Sequence, residues 1–345
     1  MIIKHSIIGL LILFLPLQIW GQKDCASDSL RQTDSSYIES YSNSLMVWLN
    51  MYSKSNVISI YDTKTSSVLT YSPNISASFG PGISYKWASL DLSFISLGTF
   101  DNSVYGKTNK LDIQGHFHMK KYLVDIWGQF YDGFYLSKYP KSAGYLFPEN
   151  APYVRSDISQ IGFGGAFLYA FKWDKYSLKA SFSQIERQKK SKGTWVLGFY
   201  MSIFGTAGDS NLVPTVIRPQ IDSTAWFSGA GAYSAGVLGG YMHTFVKDNW
   251  YFTLSLLPGF GAQKYVYALI GDTAVQSDNS KNMAKFQARF ALGYNSPKTY
   301  FGISGISETT DLKNSSSSYM KHSFGVLRLF FGYRFFFEKN KNNSI

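Results

Sequence analysis

Between Thr108 and Met119 the chain alternates strictly. Thr108, Lys110, Asp112, Gln114, His116 and His118 are polar, and Leu111, Ile113, Gly115, Phe117 and Met119 fall between and after them. Period-2 alternation marks a strand with one wet and one apolar face. After Lys120-Lys121 a second run sets Tyr122, Val124, Ile126 and Phe130 against Asp125, Trp127 and Gln129. Related runs lie at Ser44–Tyr52, Ile75–Trp87, Ile161–Phe171, Tyr176–Ser183, Trp195–Met201, Tyr233–Val246, Trp250–Leu257, Phe286–Leu292, Tyr300–Ile306 and His322–Phe337. Val57–Tyr61 and Val68–Tyr71 read as a hairpin above the membrane or one ragged crossing. Pro140, Pro148 and Pro152 make residues 137–156 a long loop. Residues 205–228 read as another, with room for one further strand or a short helix.

Runs of this length suit tilted membrane crossings, which need roughly 9–11 residues each. The expected fold is all-β: a closed antiparallel transmembrane β-barrel, an up-and-down meander of about 12–14 strands. Closure follows because an open sheet edge in lipid leaves backbone groups unpaired. In the last run Leu327, Leu329, Phe331, Tyr333, Phe335 and Phe337 share one face. With Gly332 they resemble the C-terminal signal read by the barrel-insertion machinery.

The domain reading follows. Residues 1–21 are a secretory signal, with Lys4, an apolar Ile7–Ile19 and a cut after Gly21. Residues 22–43 are a polar periplasmic lead-in with little fixed structure, 44–337 the barrel, and 338–345 a polar tail. The expected location is the outer membrane. Cys25 is the one cysteine, so no internal disulfide forms, and Gln22-Lys23-Asp24 before it does not suit lipid attachment.

Composition agrees. Aromatic residues make up 17% and charged residues 16%, the latter low against the usual ~25%. Mean hydropathy is only −0.10, as expected when alternate residues meet lipid. The net charge of +11, to which Lys4 contributes one, suits an anionic membrane surface. No nucleic-acid-binding motif is present.

Candidate chemistry is sparse. Gly80-x-Gly82, Gly162-x-Gly164, Gly229-x-Gly231 and Gly259-x-Gly261 complete no nucleotide loop; on strands such glycines permit bends and leave room for aromatic rings. His116 and His118 lie about 7 Å apart on one strand face. A metal between them, assisted by Asp112 or Asp125, lacks ligand count. The pair is read instead as part of a polar lumen cluster: Lys110, Asp112, Gln114, His116, His118, Asp125, Gln129, Arg289 and Arg328. No cofactor is expected. A barrel hydrolase would draw on Ser181, Ser183 and His116, but no G-x-S-x-G or H-E-x-x-H is present. Arg187, Lys189, Lys190 and Lys192 form a basic turn, placed outside against lipopolysaccharide phosphates.

The blocks GKTNKLDIQGHFHMKKYLVDIWGQFYDGFYL, YSPNISASFGPGISYKW, SQIERQKKSKGTW and SNLVP resemble the family called domain of unknown function 4421, found in exported proteins of Bacteroidota. The resemblance runs from about Asp34 to Phe337. It implies an outer-membrane-type barrel and supplies no activity and no site residue. The leading expectation is a monomeric, non-enzymatic barrel serving as a small solute passage or envelope-ligand vessel. The alternatives are a lipid-modifying hydrolase and a surface or assembly scaffold. Partners are outer-membrane lipids, lipopolysaccharide and the insertion machinery, with no nucleic acid.

Overall fold

The computed structural model describes residues 32–336, apart from 76, 86–87, 92–94, 98–100, 147–151, 272–274 and 313–317. The expected signal segment, the polar tail and Phe337 lie outside the described residues.

The chain forms β1 (Ile38–Ser40), β2 (Ser44–Asp62), β3 (Ser67–Ser72), β4 (Ala77–Tyr85), β5 (Ala88–Asp91) and β6 (Ile95–Leu97). A short α1 (Asn102–Tyr105), β7 (Asn109–His118), β8 (Tyr122–Lys138) and β9 (Val154–Ala170) follow. Then come α2 (Leu178–Phe182), β10 (Glu186–Gln188), β11 (Lys192–Ala207) and β12 (Phe227–Lys247). The remainder is β13 (Trp250–Leu269), β14 (Gln276–Asn295), β15 (Thr299–Leu312) and β16 (Ser318–Phe336).

The sheet contains 14 strands, and pairing of β16 with β2 closes it. The closed circuit runs through ten: β2, β3, β8, β9 and β11 to β16. The antiparallel barrel is therefore as the alternation predicts, but its ring is narrower than 12–14. The difference lies between β3 and β8. β3 and β4 pair with successive lengths of β2, β3 alongside Ile58–Asp62 and β4 alongside Leu45–Tyr52. β5 and β6 pair β4 and β7 pairs β8, so an excursion interrupts the meander. Its corner is fixed by hydrogen bonds. The Asn74 amide donates to Asn102 Oδ1 at 3.1 Å and to the Gly106 carbonyl at 2.7 Å. Thr108 Oγ1 accepts from Asn74 N at 2.8 Å and donates to the Gly133 carbonyl at 2.7 Å. Gly133 has φ +94°, and a Cβ there would lie 2.4 Å from the Lys107 carbonyl oxygen, so only glycine fits.

Ser44 pairs Phe336, which places the start of β2 and the end of β16 on one rim, here the near rim. The outward face above it is apolar. Trp195 is 64% exposed, Met201 64% and Phe260 70%. On β13 the exposed residues Trp250, Phe252, Leu254, Leu256 and Phe260 cover roughly the 9–11 residues of a tilted crossing. Higher up, the outward side chains turn polar, with Lys264 on β13 and Gln276 and Ser277 on β14 exposed. The strands thus rise beyond the apolar belt toward the far rim.

Several expected elements change. Val57–Tyr61 continues β2 without a break. Tyr176–Ser183 is not a crossing: Ser177 caps α2, its hydroxyl accepting from Lys179 N and Ala180 N, and Leu178, Ala180 and Ser181 are buried. A capped turn satisfies these backbone amides locally, and that wins over a short alternation. The lead-in has order from Asp34 onward, since β1 pairs β10. Residues 208–226 hold two short 3-10 turns, Arg218–Gln220 and Ser223–Ala225, and no strand. Gly162 and Gly164 do make room for a ring, since a Cβ at Gly164 would lie 2.6 Å from Trp127.

Candidate functional site: the polar lumen

Every second residue of a barrel strand points inward, so distant strands meet inside. At the level of the apolar belt these inward residues include an apolar cluster around Val196, Leu238, Met242 and Leu257 and, beside it, polar groups that are nevertheless buried. Asp125, Gln129, Gln287, Arg289 and Arg334 are all at or below 5% exposure. A water-filled channel would leave such groups wet; here they face one another.

Two charged chains cross the space beside that cluster. In the first, Asp125 of β8 pairs Arg289 of β14, and Arg289 Nε and Nη2 donate to Gln287 Oε1 at 3.2 and 3.1 Å. The Gln287 amide donates to Glu308 Oε2 at 3.0 Å, and Glu308 pairs Lys285. Lys285 Nζ also sits 4.8 Å from the Tyr200 ring centroid. In the second, Lys54 Nζ lies 2.9 Å from Asp112, and the Tyr131 hydroxyl donates to Asp112 Oδ2 at 2.6 Å. The Gln129 amide approaches the same carboxylate at 3.5 Å. Each cation is matched by an anion, as burial demands, because an unpaired ion in a low-dielectric interior is costly. A neighbouring neutral group joins Asn56 Oδ1 to His322 Nε2 at 2.8 Å, with the His322 ring stacked 4.4 Å from Phe204. The space beside Asp125, Tyr200, Lys285 and Glu308 is a cavity of about 20 Å³, room for a water molecule rather than a solute.

Both mouths are stoppered by the chain itself. At the near rim, segment 171–191 folds under the strands. Arg328 donates to the Phe182 carbonyl at 2.9 Å and to Asn50 Oδ1 at 2.7 Å. Arg334 donates to the carbonyls of Gln184 and Ser296 and to Asn295 Oδ1, between the rings of Tyr41 and Tyr300. Burial, and then the hydrogen bond to Glu39, push the Tyr41 phenol up to about 12. At the far rim, segment 208–226 inserts Leu212, Val213, Ile217 and Ile221 into an apolar cluster with Ile58, Ile60, Tyr71 and Phe134. Arg155, paired with Asp157, donates to the Asn211 carbonyl at 2.7 Å, and the Tyr71 hydroxyl donates to the Leu212 carbonyl. Opposite, Asp222 accepts from Thr224 and pairs Lys64 at 3.0 Å; those contacts hold its carboxyl down at about 2.

The expected lumen residues therefore separate. Asp112 and Gln129 share one group, Asp125 and Arg289 another, and Arg328 belongs to the near stopper. Lys110 is exposed but shares its face of β7 with Asp112 and feels the charges of Lys54 and Asp112. The side chains of Gln114, His116 and His118 lie outside the described residues. Lys54, Lys285, Gln287 and Glu308 were missed, although Lys285, Gln287 and Arg289 share the inward face of β14. Ser181 is committed to structure: its hydroxyl lies 2.5 Å from Thr253 Oγ1 and 3.3 Å from Thr244 Oγ1. Among the described residues no group of three or more His, Cys, Asp or Glu could hold a metal. The turn with Arg187, Lys189, Lys190 and Lys192 sits on the near rim, where Lys192 opens β11 and Arg187 pairs Glu39 at 3.7 Å. The turn therefore shares its rim with the start of β2 and the end of β16.

Among solved structures, the chain is similar to the outer membrane protease OmpT from Escherichia coli, at 8% identity and a TM-score of 0.40, covering 86% of this chain and 98% of that one. It is also similar to the Pseudomonas putida toluene transporter TodX, at 6% identity and a TM-score of 0.21, covering 86% and 91%. A third is Pseudomonas aeruginosa OpdK with vanillate, at 7% and 0.15, covering 84% and 98%. No curated protein matches. Residues 32–335 match a family profile over nearly the whole barrel, and the chain belongs to that family, described as Domain of unknown function (DUF4421).

Proposed function

We propose that the protein is a non-conducting outer-membrane barrel, with its near rim toward the periplasm, that works as a scaffold through its two ends. The observation that carries this is the burial of the Asp125–Arg289–Gln287–Glu308–Lys285 chain between two stoppers. A packed lumen of paired charges gives no route to a solute. It does give a rigid cylinder, because directed hydrogen bonds fix each strand against its neighbours across the interior. The reading includes no catalytic step.

Planar-bilayer recording of the purified full-length protein tests it: no steady conductance is expected, and a reproducible ohmic current in the wild type would sink the proposal. A gated passage is the second reading, favoured by the far stopper, whose contacts to Asp157 and Lys64 are partly exposed. Deletion of residues 209–225 separates the two. Current after deletion supports a gate, and continued silence supports the scaffold.

A further inference from the structure

The near rim carries positive charge that the lumen does not use. Tyr37 lies in the N-terminal segment, half-buried, with its carbonyl accepting from Lys189 N at 2.7 Å. The ammonium groups of Lys175, Lys190 and Lys192 approach its ring centroid at 5.4, 5.2 and 6.0 Å. A ring face attracts cations, but three together repel one another. Asp34 answers them in part. Hydrogen bonds from Ser36, and then the charges of Lys175 and Lys190, hold its carboxyl below the ordinary range. None of the three lysines forms an ion pair among the described residues, so the cluster keeps a positive surplus.

This cluster stands at the edge of the apolar belt. Phe171 N donates to the Trp195 carbonyl, and Lys172 N to the Thr194 hydroxyl, so the lysine-bearing turn is stitched to the start of β11. Phe171, Trp195, Leu197 and Phe199 face outward beside it, exposed by 45, 64, 52 and 57%. Charge surplus and apolar surface in this order match a molecule with an anionic head and acyl tails. A soluble anionic polymer would meet the lysines and leave the apolar strip unmatched.

We propose that this corner binds an anionic phospholipid of the leaflet at the near rim. Its phosphate sits among Lys175, Lys190 and Lys192, and its acyl chains lie along Phe171, Trp195, Leu197 and Phe199. Native mass spectrometry of the full-length protein, with phosphatidylglycerol or phosphatidylcholine of identical chains, tests this. The wild type should retain phosphatidylglycerol about tenfold more strongly, given the attraction of clustered lysines to anionic lipid. The triple variant Lys175→Gln/Lys190→Gln/Lys192→Gln should bring the two lipids level. Equal retention by the wild type, or an unchanged preference in the triple variant, overturns the site. Should that variant not fold, salt decides on the wild type: about 1 M salt should erase the preference by screening, and a salt-insensitive preference overturns it. Displacement of the lipid by soluble peptidoglycan fragments would assign the cluster to a polymer instead and equally overturn the proposal.

Discussion

The barrel has two storeys that differ in the polarity of their faces. At the belt the outside is apolar, with Trp195, Phe199 and Leu254 exposed, and the inside holds Asp125, Gln287, Arg289 and Arg334. Toward the far rim the outside turns polar, and the inside is an apolar core of Ile58, Ile60, Phe134, Phe204 and Leu212. The same strands carry both. Alternation fixes which residues share a face, and the surrounding solvent decides which face is apolar. The lower interior combines directed polar bonds with an apolar cluster around Tyr176, Leu238, Met242 and Leu257, whereas the upper one is held chiefly by the non-directional burial of apolar surface. The stoppers share one device, arginines gripping backbone carbonyls, Arg328 and Arg334 below and Arg155 above, and each adds apolar anchors, Trp173, Tyr176 and Leu178 below and Leu212 to Ile221 above.

Breaking the lower storey should cost most. Asp125→Leu alone strands Arg289 and should destabilise the barrel by about 3–5 kcal/mol. Asp125→Leu with Arg289→Met should recover most of that. A double-mutant cycle by urea unfolding in micelles measures the coupling, and additive losses would deny that the two act as a pair. Next, Arg334→Met leaves the carbonyls of Gln184 and Ser296 without their donor. It should cost about 3 kcal/mol, with segment 171–191 becoming protease-sensitive; a resistant segment would show that Arg334 does not hold the stopper.

In the upper storey, Ile217→Ala should cost about 2 kcal/mol. The change should be confined to faster hydrogen exchange in 208–226, because a stopper can lift without opening the ring. Exchange that rises equally throughout would merge the two storeys into one unit. The smallest effect is a pH effect. Asp222 has its carboxyl depressed to about 2 by Thr224 and Lys64. Its anchoring is thus fully present above the ordinary carboxylate range near 3.8 and is lost as pH falls through about 2. Far-rim exchange should quicken in that window in the wild type, and to a smaller degree in Asp222→Asn.

The belt-level alternation was legible because lipid outside and packed polar groups inside make the contrast extreme, as on β11, where Trp195, Leu197, Phe199 and Met201 face outward. Strand number was not legible. β3 and β4 read as separate strands in the chain yet occupy one edge of β2 in succession, a matter of long-range pairing. The pattern Tyr176, Leu178, Ala180 imitated a strand because α2 also buries one side of a short segment. The pairing of Asp125 with Arg289, 164 positions apart, depends on the ring and leaves no local trace. The far stopper carries Val213, Ile217 and Ile221 at helical spacing, but Pro214 and Pro219 interrupt the run, so its apolar anchors passed as loop.

The central claim is that the lower lumen is a packed interior. Ser255 tests it with little disturbance: it is 1% exposed, points inward on β13, and its hydroxyl makes no hydrogen bond among the described residues. In a Cys25→Ser background, the folded Ser255→Cys barrel is treated with a charged, water-soluble thiol reagent, with exposed Lys189→Cys as the reference. A packed lumen predicts that Ser255→Cys stays unlabelled while Lys189→Cys reacts fully. Labelling of Ser255→Cys at the reference rate would mean that water runs through the barrel.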